Sequence, residues 1–303
     1  MRPGDVAQQG EVKTALRAYE ALHGQLPGIS DADSRDAFVA HVVDSGRRPR
    51  YVRHLLTRDI SHLRADPDSD LFDPIKAAIW YARAGSVEEA LWLAFLSVHF
   101  GRHSSTGWRY CAAVYGRAGE EGRSDWAAVS GDVSGFVNWL TDHLDAIRLG
   151  GGGFGNHRKY ETLGGTGQTV STYVDWVGSE RSQVNRFRDV IAPAQGDAQF
   201  AFDLLYTSLA TVVRFGRTAR FDLLASLSWI SILPVTPGRA YLEGATGPLR
   251  GAKLLFGDSV ATAKELDQQV IRLGNGLPLG FDVLEDALCN WQKSPTRFIA
   301  FRG

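Results

Sequence analysis

Between Val212 and Asp258 the sequence reads VVRFGRTARFDLLASLSWISILPVTPGRAYLEGATGPLRGAKLLFGD, and no other stretch limits the fold as tightly. Its first helix begins near Arg217, after a tight turn at Phe215 and Gly216 in which the glycine supplies backbone freedom. With the helical pattern before it, this turn makes a helical hairpin. Thr218 is placed to accept a hydrogen bond from amides of the turn that follows. Free amides at a helix start offer a seat for phosphate. Arg214, Arg217 and Arg220 recur every third residue, and between Ala198 and Phe221 the sole acid is Asp203, so local charge favours an anion. A loop with Pro234, Pro237 and Gly238 then delivers Tyr241–Leu242–Glu243–Gly244 to another helix, with Thr246 as its cap and Pro248 in its first turn.

The rest of the chain also reads as helical. Residues 1 to about 30 look loosely ordered, with one amphipathic turn at Leu16 to Leu22 and no apolar signal core. Asp31 to Leu63 suggests two helices, the second carrying Arg47, Arg48, Arg50 and Arg53, which form either a solvated surface or a DNA-backbone contact. Asp73–Pro74 opens a helix ending at Gly85; Ser86 and Glu89 then make a capping box for a nearly all-apolar helix to Phe100. Asp132 or Ser134 caps a helix with an apolar stripe at Phe136, Leu140, Leu144 and Ile147, which Gly150 to Gly153 end. Asp197 caps the first hairpin helix, and Thr262 with Glu265 makes another capping box. A last helix spans about Phe281 to Lys293. The best candidate for a strand is the alternation in QTVSTYVDWV, Gln168 to Val177.

Several patterns that suggest cofactors fail on context. Gly150, Gly152 and Gly155 satisfy G-x-G-x-x-G after a helix rather than a strand, and GGTGQT at Gly164 to Thr169 lacks the phosphate-loop lysine. His99 and His103 are separated by a helix-breaking Gly101 and have no third ligand, which favours structural histidines. Trp108, Tyr110 and Tyr115 suit a core better than a stacking surface. Two cysteines supply neither a disulfide framework nor an iron–sulfur cluster and fit a reducing cytoplasm. The longest apolar run, Ala90 to Phe100, is too short to span a bilayer. A net charge of -1 and a pI near 6.7 argue against a general nucleic-acid coat protein while leaving room for one basic face. The expectation is therefore one all-α domain over residues 1–303, with lobes of about 31–149 and 150–303 around a groove. It is expected to be cytoplasmic and monomeric, with no membrane association, metal or cofactor.

Between the glycine clusters lies FGNHRKYE, whose Asn156, His157, Arg158, Lys159 and Glu161 suit gripping a phosphate backbone or reading a flipped base. The alternative is a solvated loop with an internal Lys–Glu pair. On the last helix Glu285 adjoins the apolar face and needs a partner; Lys293 or a hairpin arginine would serve, as an ion pair or in catalysis.

FGNHRKYE (Phe154 to Glu161), YVDWVG (Tyr173 to Gly178), FGRTARFD (Phe215 to Asp222), YLEGATGPLRGAKLLFG (Tyr241 to Gly257) and LEDALCNWQKSP (Leu284 to Pro295) resemble the alpha-glutamyl/putrescinyl thymine pyrophosphorylase family, clade 3. The order hairpin, loop, acid, helix is that of the helix-hairpin-helix superfamily of DNA glycosylases. The resemblance implies a helical, glycosylase-like enzyme that flips out and excises a bulky hypermodified base of phage DNA, such as glucosylated 5-hydroxymethylcytosine, leaving abasic sites in anti-phage defence. Glu243 is then the first choice for the carboxylate beside the sugar, although the superfamily generally has aspartate there. Asp222 is the second, equally suited to stabilising a helix start, and Glu285 the third. Arg214, Gly216, Arg217, Thr218, Arg220, Arg250 and Lys253 would hold DNA. Asn156, His157, Arg158, Lys159, Glu161, Trp176, Tyr241 and Lys293 would wall the base pocket. Lys253 and Lys293 leave a Schiff-base lyase activity conceivable, but none is expected. Two alternatives stand: modification of a 5-hydroxymethylpyrimidine in DNA with pyrophosphate release, and a non-catalytic module that recognises modified DNA.

Overall fold

The computed structural model describes residues 3–300, with side chains from residue 5. Helices follow one another along the chain: α1 (Pro3–His23), α2 (Ala32–Ser45), α3 (Arg47–Leu55), α4 (Pro74–Arg83), α5 (Val87–Phe100), α6 (Arg109–Tyr115), α7 (Trp126–Gly131) and α8 (Val133–Leu149). After them come α9 (Leu163–Val177), α10 (Gln183–Ile191), α11 (Ala198–Ser208), α12 (Arg217–Trp229), α13 (Gly247–Phe256), α14 (Ala263–Gly274) and α15 (Phe281–Trp291). Among the described residues there is no strand beyond an isolated His103–Gly107 bridge, so the fold is all-α. No described helix is long and apolar enough to cross a membrane. Two units are distinguished, one formed by residues 3–52 with 236–300 and the other by 53–235.

In the smaller unit, α1, α2, α13, α14 and α15 enclose a core that includes Leu16, Phe38, Val42, Leu255, Val270, Leu284 and Trp291. The loosely ordered start expected from the sequence is, from Pro3 onward, the 21-residue helix α1; residues 1 and 2 lie outside the described residues. Among the described side chains of α1 only Val12 and Leu16 are fully buried apolar anchors, which is why its pattern is faint, and charge supplies much of the rest. Arg47 pairs with the buried Asp5 at 2.9 Å, Arg50 donates to Gln8 at 2.6 Å, and Lys13 pairs with Asp36 at 2.7 Å. Part of the basic cluster thus clasps α1. Helices α13 and α15 approach almost backbone to backbone. A Cβ on Gly251 would come within 2.8 Å of the Leu288 carbonyl carbon, and one on Gly247 within 2.5 Å of the Cys289 sulfur.

In the larger unit, Asp73 caps α4 by accepting from the Ile75 and Lys76 amides, and α4 packs against an α5 that is buried from Ala90 to Phe100. The expected Ser86–Glu89 box does not form. Glu89 instead accepts from the Tyr115 hydroxyl at 2.8 Å and the Trp126 amide at 2.9 Å, tying α5 to α6 and α7. Both GGTGQT, which lacks the phosphate-loop lysine, and QTVSTYVDWV, the best strand candidate, lie inside α9. Thr162 caps this helix, and its buried Val170, Tyr173, Val174 and Val177 follow a spacing of three and four. Gly167 permits close packing on Val137 of α8, where a Cβ would meet Val137 at 3.4 Å. Tyr173 stacks on Phe95 of α5 with ring centroids 3.9 Å apart.

The glycines separate two outcomes. Gly10, in α1, has open space where a Cβ would point, so Gly10→Ala raises stability by about 0.5–1 kcal/mol. Gly251→Ala forces α13 off α15 and lowers it by about 1–3 kcal/mol despite the better helix former; chemical denaturation measures both. Burial pushes the Glu89 carboxyl up to about 7. A carboxyl raised on folding is protonated in the native state where the unfolded chain has released the proton. Its contribution to stability therefore falls as pH rises from 4.5 to about 7. Buried His99, lowered to about 3 chiefly by desolvation, acts with the opposite sign below 6.5. Subtracting the pH–stability curve of Glu89→Gln from that of the native chain isolates a fall of at most about 3 kcal/mol across the Glu89 window.

Candidate functional site

Helix α5 stops at Gly101, in a left-handed conformation, and leaves carbonyls at its end in need of donors. The glycine-rich run that follows α8 supplies them. The Gly155 amide donates to the Phe100 carbonyl at 2.8 Å, and a Cβ on Gly155 would come within 2.8 Å of the Gly101 backbone. A Cβ on Gly153 would press on the His103 ring at 2.7 Å. The run is glycine because backbone lies directly on these groups. It leads into a single turn of 3-10 helix, Asn156–Arg158, that turns Arg158 inward. Arg158 is 8% exposed; its Nε donates to the Val98 carbonyl at 2.8 Å, and its Nη2 is buried without a hydrogen-bond partner. Burial lowers the guanidinium's pKa, and the charges of Asp222 and Glu161 oppose that shift. Arg158 and Arg214 in turn reinforce the desolvation that keeps His99 neutral, hydrogen-bonded to Thr166 Oγ1 at 2.9 Å.

The α11–α12 pair meets this loop within the same unit. Arg214 donates through Nε to Glu161 at 2.9 Å, and its head lies where a Cβ on Gly165 would stand. His157 Nδ1 lies 3.6 Å from Asp222 Oδ2, half-buried on α12. The structure thus assembles His157, Arg158, Glu161, Arg214 and Asp222 in one charged cluster. Gly216 is not the left-handed residue of the turn: it is extended, with φ -69° and open space at its Cβ position, and Arg214 takes φ 60° instead. No side chain caps α12, and Thr218 sits inside its first turn. Arg220 is engaged internally, with Nη1 on the Tyr206 carbonyl at 2.9 Å and its head 4.3 Å from that ring. The Arg217 head lies 5.6 Å from the Phe221 ring. Asn156 and Lys159 are exposed, Lys159 beside an exposed Tyr160. Trp176 is a core side chain, 6% exposed, whose Nε1 donates to Ser208 at 2.8 Å.

The smaller unit holds the other candidates. Glu243 is exposed in a turn between Tyr241, at φ 52°, and Gly244, at φ 71°. Leu242 between them is fully buried, and its amide donates to the buried Asp267 carboxylate of α14 at 3.1 and 3.3 Å. Tyr241 is buried with the Arg239 head 4.6 Å from its ring. Thr246 stands at the start of α13 without a capping hydrogen bond from its side chain, while Pro248 lies in the first turn as expected. Arg250 is exposed, and Lys253 closes the far end of α13 by donating to the Ser259 carbonyl at 2.8 Å. Glu285 is half-buried on α15, and Lys293 donates to Asn290 at 2.9 Å. Among the described residues no group of three or more His, Cys, Asp or Glu side chains is placed to hold a metal ion.

The alpha-glutamyl/putrescinyl thymine pyrophosphorylase clade 3 family matches residues 33–303. The chain belongs to this family. No curated protein and no solved structure matches it. The family name describes enzymes that process a modified thymine, and this clade 3 chain is accordingly a modified-base enzyme acting in a DNA context.

Two features of the clade 3 chain escape the sequence reading. Asp267 shares the buried face of α14 with Leu266, Val270 and Leu273, and an acid on an apolar stripe was the available signal. The burial of Arg158 had no local signal, because its partner carbonyl lies 60 residues earlier. Replacing Arg158 by alanine strands the Val98 carbonyl and removes the cation between two acids, a loss of about 2–4 kcal/mol. In the same variant the His99 ring, relieved of one neighbouring cation, titrates at a higher pH; ring-proton chemical shifts across a pH series report it.

Proposed function

We propose that this chain is a monofunctional DNA N-glycosylase that flips a bulky modified pyrimidine from DNA and releases it, with Glu243 as the carboxylate beside the sugar. The support is the way Glu243 is held. Asp222 is drawn toward His157, and Glu285 is a helix side chain with interactions of its own. Glu243 alone of the three is exposed, and it makes no hydrogen bond or ion pair among the described residues. The backbone that carries it is nonetheless fixed by two left-handed residues, a buried Leu242 and the Asp267 carboxylate. A strained, over-determined turn presenting an unengaged charge is a common device at functional sites.

Departure of the base leaves positive charge on the sugar, which a preplaced carboxylate stabilises while orienting water. Glutamate in place of the more usual aspartate reaches one methylene further. Beside Glu243 the phosphate contact falls to the exposed Arg250, because Lys253 already serves an internal partner. A substrate such as glucosylated 5-hydroxymethylcytosine in phage DNA would spare a host with ordinary bases and make the activity a defence. The family name favours a second reading, attack on an activated hydroxymethylpyrimidine with loss of pyrophosphate.

Glu243→Gln keeps shape and removes charge. On DNA carrying glucosylated 5-hydroxymethylcytosine, base release is expected to drop about 100-fold or more, with DNA affinity and melting temperature unchanged and Asp222→Asn retaining most activity. Full release by the Glu243→Gln variant would remove Glu243 from the mechanism.

A further inference from the structure

On the smaller unit, the end of α1, the loop after it, the end of α13 and one face of α14 surround a cleft of ≈ 410 Å³ whose lining does not include the turn that carries Glu243. Its chemistry comes from Tyr19, His23, Gln25, Phe256, Gln269 and Arg272. Tyr19 and His23 stand one helical turn apart at the end of α1, with ring centroids 4.6 Å apart. Gly24, at φ 90°, then ends the helix and turns Gln25 away from its axis. On α14, Gln269 and Arg272 are three residues apart and so share a face. The Arg272 cation lies close enough to the Tyr19 hydroxyl to oppose the rise in pKa that burial gives it.

The rim is rigid. Glu20 accepts from the Leu26 amide at 3.2 Å and takes both arms of Arg35 at 2.8 Å, which ties the loop to α1 and pairs the Glu20 charge. No acid is among the cleft's lining residues, so a cation finds no partner there. Tyr19 and Phe256 are partly buried against the core, whereas His23 and Gln25 are exposed.

We propose that this cleft binds a nucleotide. A flat heteroaromatic ring suits the Tyr19, His23 and Phe256 faces. The Gln25 and Gln269 amides can each donate to and accept from the polar edge of a base. Arg272 supplies the cation for a phosphate. The volume lies within the usual range of small-ligand sites, roughly 300–1,000 Å³. A free nucleotide and a nucleotide of a single strand offer the same chemistry, and the site is independent of the role assigned to Glu243.

Titration calorimetry on the full chain tests it, with thymidine monophosphate, thymidine, inorganic phosphate and a short single-stranded oligonucleotide as probes. The expected result is one site per chain for the monophosphate or the oligonucleotide, weakened at least about tenfold, or 1.4 kcal/mol, by Arg272→Ala and by Tyr19→Leu. Both variants keep the apolar packing and should melt with the native chain. Arg272-dependent binding of the monophosphate identifies a free nucleotide as the occupant; binding of the oligonucleotide alone identifies a strand. The proposal is overturned if neither probe binds, if both variants bind as the native chain does, or if inorganic phosphate or thymidine binds as tightly as the nucleotide.

Discussion

The Arg158 guanidinium donates to the Val98 carbonyl at the end of α5, and much of the larger unit's arrangement follows from that bond. A helix end carries partial negative charge and unpaired carbonyls, so a cation brought to it is stabilised even when buried. Bringing it there requires the backbone at Gly155 to lie on Gly101 and that at Gly153 on His103, which side chains at those two glycines would prevent. Once buried, the cation gathers acids. Glu161 and Asp222 lie within its field, Glu161 takes Arg214, Asp222 faces His157, and His99 is kept neutral. FGNHRKYE is therefore a structural clamp as well as a charged loop.

Helix starts were legible where a short polar side chain closes its own first turn. Asp73, Asp132, Asp197 and the Thr262–Glu265 box behave as read, because capping is decided within a few residues. Ser86–Glu89 was misread for the complementary reason: Tyr115 and Trp126, far along the chain, compete for Glu89. The β-branched run of α9 imitates a strand, and packing against Phe95 and α8 overrides that local preference. The faint pattern of α1 hides ion pairs to residues far along the chain, Lys13 to Asp36 and Asp5 to Arg47 and Arg50. At the site, the arginine repeat was plain in the sequence. The division of labour within it was not, since Arg214 and Arg220 find partners only once α9, α11 and the loop are in place.

The string YLEGATGPLRGAKLLFG joins two different requirements. Gly251 is demanded by the backbone of α15 and Gly247 by the Cys289 sulfur, whereas Tyr241, Leu242 and Gly244 shape the turn that offers Glu243. A rigid helix pair behind the turn and a buried carboxylate beneath it hold the charge in place without neutralising it. That combination suits a group whose partner is a charge that exists only during a reaction.

The most direct test is the chemical identity of the product. The native chain is incubated with DNA carrying glucosylated 5-hydroxymethylcytosine, with DNA carrying hypermodified thymine and with unmodified DNA, and small molecules and strands are analysed by mass spectrometry. A glycosylase releases the free modified base and leaves abasic sites only in modified DNA. Pyrophosphate release with every base still attached to its sugar would contradict the account.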